Sequence, residues 1–273
     1  MVTIKTNFAM ADTEVTQRQY ALLKGSNPST SVVENEHPVE TVGWLEAATF
    51  CNTLSRQEGR TDCYQFSGSM VILDTSGKCG YRLPTEAEWE FAARAPLDAK
   101  FAGSNNADEV AWDSSNAENT THKVKSKKAN ANGLYDMSGN IFEWIWDGYQ
   151  KNYPPDPINP SSGVPRLYKG GSWDHDESQA RVAFRQYGPD DTSNNRGFRV
   201  VRSYPYPHVR SLRRSAPGLV PDRPPPWRRG HGCGVRGAAR VPRSASRAED
   251  AACRVCPRPG VHRALLQRSQ GAE

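Results

Sequence analysis

Carboxylates that could hold a cation together with turn carbonyls occur in Asp136-Met-Ser-Gly-Asn-Ile-Phe-Glu143, where two acids flank a Ser-Gly-Asn turn. Hard cations such as calcium take carboxylate and carbonyl oxygens of this kind. A tight turn whose carboxylates accept from backbone amides would use the same residues. Chemistry on soft metals needs thiolates or imidazoles, and those are dispersed. The cysteines are Cys51, Cys63, Cys79, Cys233, Cys253 and Cys256, with none between Cys79 and Cys233, and the lone Cys253-x-x-Cys256 has no second pair to complete a zinc site. The histidines, His37, His122, His175, His208, His231 and His262, are scattered, and His37 before Pro38 reads as a turn residue. A third concentration of polar and aromatic groups comprises Trp173, Asp174, His175, Asp176, Glu177, Arg185, Gln186, Tyr187, Asp190, Asp191, Asn194 and Asn195. Without a nucleophile and general base these suit ligand recognition; solvated loops between strands are the competing reading.

The elements that must position these groups are short. Thr16 with Gln19 three residues on, and Gly25 as the stop, predict a helix over about Gln17 to Lys24. A second begins near Trp44, carries Ala47, Ala48, Cys51 and Leu54 on one apolar face and ends before Gly59. The third is capped by Thr85, with Glu88 closing the box, Glu86 on an exposed first turn and Glu90 paired to Arg94. Pro96 to Pro160 reads as long loops. Strands are expected over Arg166–Trp173, Arg181–Arg185 and Gly197–Arg202, with a hairpin of Tyr64–Phe66 and Met70–Leu73. That hairpin brings Cys63 and Cys79 together, as a disulfide or as two reduced thiols. Three short helices and a small antiparallel sheet make an α+β domain ending near Ser203.

Of the 273 residues, those up to Ser203 hold 21 Lys and Arg against 26 Asp and Glu, whereas Tyr204 to Glu273 hold 14 Arg against 4 acids. The net +5 therefore belongs to the tail, and the mildly acidic domain is not expected to bind nucleic acid. The tail also lacks Lys, Asn, Ile, Thr, Phe and Met and has 10 Pro. Three readings remain open for it: translation in an unintended frame, a basic disordered tail, or a folded second domain. No run approaches eighteen apolar residues, and no signal peptide opens the chain. As written the chain is expected to be a cytoplasmic monomer, or periplasmic or cell-surface if an export signal has been lost from its start.

The blocks Glu14-Val-Thr-Gln17, His37-Pro-Val39, Gly80-Tyr-Arg-Leu-Pro-Thr-Glu-Ala-Glu-Trp-Glu90, Gly133-Leu-Tyr-Asp-Met-Ser-Gly-Asn-Ile-Phe-Glu-Trp144, Lys169-Gly-Gly-Ser-Trp173 and Arg196-Gly-Phe-Arg199 resemble, in order, those of formylglycine-generating enzymes, or sulfatase-modifying factors. The resemblance covers about residues 5 to 203 and implies a C-type-lectin-like α+β fold with long loops. Many bacterial members start with a strand before the Glu-Val-Thr block, and this chain begins too late to include that strand. The family's enzymes oxidise a sulfatase cysteine with copper held by two cysteines; here those positions are His175 and Ala180, so neither copper nor catalysis is expected. The iron-dependent, sulfoxide-forming branch needs a histidine-rich motif on a further helical domain, which is missing, so iron is not expected. In the family the loop after Tyr135 binds calcium; carried over, the ligands are Asp136 and Glu143 by side chain and Gly139 and Ile141 by carbonyl. The polar and aromatic face from Trp173 to Asn195 falls where the family has its substrate groove. The same blocks resemble variable proteins of diversity-generating retroelements, whose ligand-contacting residues lie between Gly-Gly-Ser-Trp and Gly-Phe-Arg. The expected role is a non-catalytic module for a protein, peptide or glycan ligand; a divergent protein-modifying oxidoreductase and a diversified receptor are the alternatives.

The tail's composition generates a first prediction. Truncation after Ser203 is expected to leave the Tm of the domain unchanged; a loss of several degrees in a thermal melt would show that the tail packs on it.

Overall fold

The computed structural model describes residues 4, 6–68, 70–152 and 164–204. Its helices start where the side chains satisfy their first amides. In α1 (Gln17–Lys24) the Thr16 hydroxyl accepts from the Gln19 amide at 3.2 Å and the Gln19 side chain accepts from the Thr16 amide at 2.9 Å, and Gly25 ends the helix at φ 82°. α2 (Trp44–Gln57) buries Trp44, Ala47, Ala48, Cys51 and Leu54 as one stripe. α3 (Glu86–Arg94) repeats the capping box with Thr85 and Glu88. A four-residue helix, α4 (Ala107–Val110), lies within the stretch expected to be loop.

Three small sheets complete the fold. β1 (Asn7–Met10) and β4 (Tyr81–Arg82) both pair antiparallel with β9 (Val201–Tyr204), which lies between them. β2 (Tyr64–Ser67) and β3 (Met70–Leu73) form the expected hairpin, and Cys63 and Cys79 beside it form a disulfide. The third sheet runs β7 (Gln186–Gly188), β6 (Arg166–Lys169), β5 (Phe142–Gly148), β8 (Arg196–Gly197), antiparallel except for β5 with β8. One core cluster joins α2 to Trp144, Trp146 and Phe198; a second joins Trp89 to Met137, Leu167 and Val201. The indoles of Trp44 and Trp144 donate to the Ile145 and Val42 carbonyls at 2.8 Å, so these large side chains are buried without a stranded N–H.

The structure departs from the sequence expectation at several places, each with a local cause. β5 sits inside the stretch read as loop; all seven of its residues are buried, so it shows no polar and apolar alternation. Arg181–Arg185 is a turn, closed by the Phe184 amide on the Arg181 carbonyl at 2.9 Å, and the strand begins only at Gln186. β6 stops at Lys169 because Gly170 and Gly171 take φ of 101° and 78°; a Cβ on Gly171 would lie 2.7 Å from the Ala180 Cα. Gly197–Arg202 is divided between β8 and β9. The strand before Glu14, expected to be missing, is present as β1, and β9 runs through Tyr204, so a truncation that keeps the sheet intact falls after Tyr204. Glu86, expected on an exposed turn, is 2% exposed and is bound by Arg185 at 2.6 Å. The tail beyond Tyr204, with its three readings, lies outside the described residues.

The elements meet on one interior ion pair. Arg199, between β8 and β9, donates from Nη2 to Glu143 Oε1 at 2.6 Å and from Nε to Glu143 Oε2 at 2.7 Å; both residues are fully buried. Nη1 donates to the Ala11 carbonyl and Nη2 also to the Tyr135 carbonyl, and Trp89 of α3 donates to Glu143 Oε2 at 2.7 Å. Removing one partner of such a pair strands a buried charge. Arg199→Met is therefore expected to lower unfolding free energy by about 3–5 kcal/mol. Glu143→Gln should cost less, because Glu14 and Asp136 also face the guanidinium. Urea denaturation in metal-free buffer checks this order; equal costs for the two variants would contradict it.

Candidate functional site

The Asp136–Glu143 loop is locked into the interior. Tyr135 N–H donates to the Asp12 carbonyl, Gly139 N–H to the Gly170 carbonyl at 2.7 Å, and Asn140 N–H to the Trp112 carbonyl at 2.8 Å. Gly139, at φ 78°, is packed so closely on Trp112 that any Cβ would lie 2.3 Å from its carbonyl oxygen. The Ile141 carbonyl oxygen lies 3.8 Å from where a Cβ on Gly170 would sit. The two expected carboxylate ligands differ. Both oxygens of Glu143 are held by Arg199, and one also by Trp89. Asp136 accepts the Lys125 amide on Oδ2 at 2.9 Å and leaves Oδ1 buried without a partner. Burial raises the Asp136 pKa to about 6, opposed by the Lys125 amide and Arg199 and helped by Glu143. Glu14 joins them: it is 0% exposed, both of its carboxylate oxygens lack a partner, and burial together with the Asp136 and Glu143 charges holds its pKa well above the carboxylate range.

The expected ligand face separates into two groups. At the β8 end, Asp174 Oδ1 accepts from Ser172 Oγ at 2.6 Å, pairs with His175 Nδ1 at 2.8 Å and is reached by Asn195; Trp173 donates to the Asn194 carbonyl at 3.3 Å. These bonds bring Asp174 down to about 2 although burial opposes the shift, and the bond to Asp174 raises His175. His175 also packs edge-on to Phe142, so the imidazole is a braced part of the turn. At the β7 edge, Arg185 clasps Glu86 through Nε and Nη2 and lies over Tyr149, on which Tyr187 stacks at 3.7 Å, with Gln186 beside them. Asp176 and Glu177 are exposed, Glu177 bridging to Lys100 at 2.8 Å.

His175 and Ala180 stand in different surroundings. Ala180 is buried with Phe101, Ala107, Val110 and Ala111, and its carbonyl accepts from Ser138 Oγ at 2.8 Å. Among the described residues the one free thiol is Cys51, buried on α2 with burial pushing its pKa up, so no thiolate is presented to solvent.

A cleft of about 750 Å³ opens between α2, the β2–β3 hairpin and β6, next to the predicted residue Asp190. Leu45, Phe66, Val71, Pro165 and Pro189 give it apolar walls, and Arg166 lies among them. Arg166 is 5% exposed, its guanidinium stacks 4.0 Å over Trp44, and its Nη1 has no hydrogen-bond partner. Burial lowers its pKa, with Asp190 opposing. Sequence reasoning named neither Arg166 nor Glu14 nor Arg199 as a site residue. Glu14 and Arg199 lie in the quoted motifs, where a charged residue among buried neighbours was the available signal.

The family model described as "Sulfatase-modifying factor enzyme 1-like domain" matches residues 1–204. The chain is 34% identical to Chaperone protein LppX of Paenibacillus barcinonensis, over 72% of this chain and 80% of that protein. It is 38% identical to the formylglycine-generating enzyme of Streptomyces coelicolor, over 45% of this chain and 46% of the enzyme, so it spans about half the length of that relative. Its fold superposes on Treponema denticola variable protein 1 with a TM-score of 0.65 at 30% identity, covering 74% of this chain and 93% of that one. With the motif order, the α+β fold and the matched span in agreement, the chain belongs to the sulfatase-modifying factor family of formylglycine-generating-enzyme-like domains.

Proposed function

We propose that this domain binds a peptide or protein segment carrying a carboxylate, and that it does not perform the family's copper-thiolate oxidation. The observation that carries the reading is Arg166, which lines an apolar cleft and whose buried Nη1 has no hydrogen-bond partner. An arginine fork matches a carboxylate, and the surrounding Leu45, Phe66 and Pro189 suit an apolar side chain next to it. Such walls favour a polypeptide over a glycan, and the similarity to a protein named as a chaperone supports the same choice. His175 and Ala180, where the family's enzymes carry thiols, offer one braced imidazole and one methyl group, a poor ligand set for Cu(I). The likeness to a variable protein favours a second reading, a diversified receptor whose contacts fall between Trp173 and Gly197; a template repeat beside the gene is its signature.

Two outcomes are expected. Peptides selected from a displayed random library should share an acidic residue beside an apolar one, and calorimetry should show binding weakened about tenfold or more by Arg166→Met and by Leu45→Asp. Recovery of no binder, or of binders indifferent to both substitutions, would contradict the cleft assignment. A Cys-x-Pro-x-Arg peptide incubated with the protein, copper and reductant should keep its mass; an aldehyde product would refute the non-catalytic reading.

A further inference from the structure

We propose that the outer edge of β3 pairs antiparallel with β3 of a second copy of this chain, around a two-fold axis at Ile72. The hydrogen-bond phase of the hairpin sets which backbone groups face outward. The Asp74 amide donates to the Cys63 carbonyl at 2.8 Å, so these two residues form a hydrogen-bonded pair. The alternation of an antiparallel ladder then makes Tyr64–Leu73 and Phe66–Val71 non-hydrogen-bonded pairs. Asn52 of α2 fixes the same phase, because its side-chain amide takes up both the N–H and the C=O of Tyr64, which therefore point away from β3. On β3 the N–H and C=O groups of Val71 and Leu73 point away from β2 in the same way. Among the described residues no strand pairs on that side.

An open strand edge is a template for another strand unless charge protects it. From Tyr64 to Leu73 no residue is charged, and Met70 and Ile72, on the face turned from the core, are 53% and 42% exposed. The hairpin is firmly mounted: Tyr64, Val71 and Leu73 pack in the core with α2, and the Cys63–Cys79 disulfide closes its base. A second copy fits because the outward groups lie one residue to either side of Ile72. A two-fold axis there sets Val71 of each chain opposite Leu73 of the other, so that the two exchange N–H···O bonds, and lays the exposed Ile72 side chains against each other. No like charges meet, since Asp74 falls opposite Met70. The joined sheet runs β2, β3, β3, β2. A contact of four residues a side is small for a stable interface, so the chain, expected from its sequence to be a monomer, associates weakly and reversibly.

The test places single cysteines on the exposed face of β3 in the full-length chain. Across the two-fold axis the Ile72 Cα atoms stand about 4.5 Å apart, within disulfide reach, and those of Met70 about 14 Å apart. Under mild oxidation Ile72→Cys should form a dimer whose digest shows one peptide linked to itself at position 72, and Met70→Cys should form no more dimer than the unmodified protein. In sedimentation the mass of the unmodified protein should rise from one chain toward two between about 1 μM and 1 mM. Ile72→Lys, a change on the exposed face, should weaken that association about tenfold or more. A single chain at every concentration, with no link at position 72, would overturn the proposal. So would equal linkage at both positions, which would mean random collision, or a dimer indifferent to Ile72→Lys, which would place the interface elsewhere. Protection of the Val71 and Leu73 amides from exchange only when an unrelated peptide is added would assign the edge to a foreign strand and overturn it as well.

Discussion

The bidentate Arg199–Glu143 pair is the constraint on which the other contacts depend. A guanidinium with no solvent needs acceptors for its N–H groups, and four of the five on Arg199 are met by Glu143 of β5, the Ala11 carbonyl after β1 and the Tyr135 carbonyl before the acidic loop. Three segments distant in sequence are thereby set at fixed angles around one side chain. Trp89 brings α3 to the same point through Glu143. A second buried pair, Arg82 with Glu88 at 2.6 Å, performs the corresponding task between β4 and the start of α3, and shares Ser203 of β9. Short helices and two-residue strands bury little apolar surface each, and directional polar contacts give such a fold its uniqueness.

Placing charge at the centre has a consequence for the loops. The interior network holds the Asp136–Glu143 turn and the Gly170–Gly171 crossing rigid, so the segments after Gly171 are presented from a firm base. His175 and Asp174 brace that turn through Ser172 and Asn195. The open cleft at Arg166 lies at the other edge, where the hairpin and α2 leave Phe66 and Leu45 exposed. Loops held on a rigid scaffold are where binding residues are disproportionately found.

Helices were legible because their signals are local: Thr16 with Gln19 and Thr85 with Glu88 are capping boxes in the sequence and in space. The hairpin was legible as two short apolar runs flanked by Cys63 and Cys79, which the fold joins in a disulfide. β5 was not, since a strand buried on both faces loses its period, and neither was β1, whose partner β9 lies nearly the whole domain away in sequence. For the site, Asp136 and Glu143 could be picked out as acids in a turn. Their division of labour could not, because Arg199 and Glu14 reach them only through tertiary contacts. Arg166 gave no signal at all: that its buried Nη1 has no hydrogen-bond partner appears only in the folded chain.

The proposed recognition site is the Arg166 cleft between α2, the β2–β3 hairpin and β6. Backbone amide shifts on adding a selected acidic peptide test that placement most directly. Shifts concentrated at Leu45, Thr49, Phe66, Val71 and Arg166 are the expected result. Shifts confined to Trp173–Asn195, or none, would contradict it.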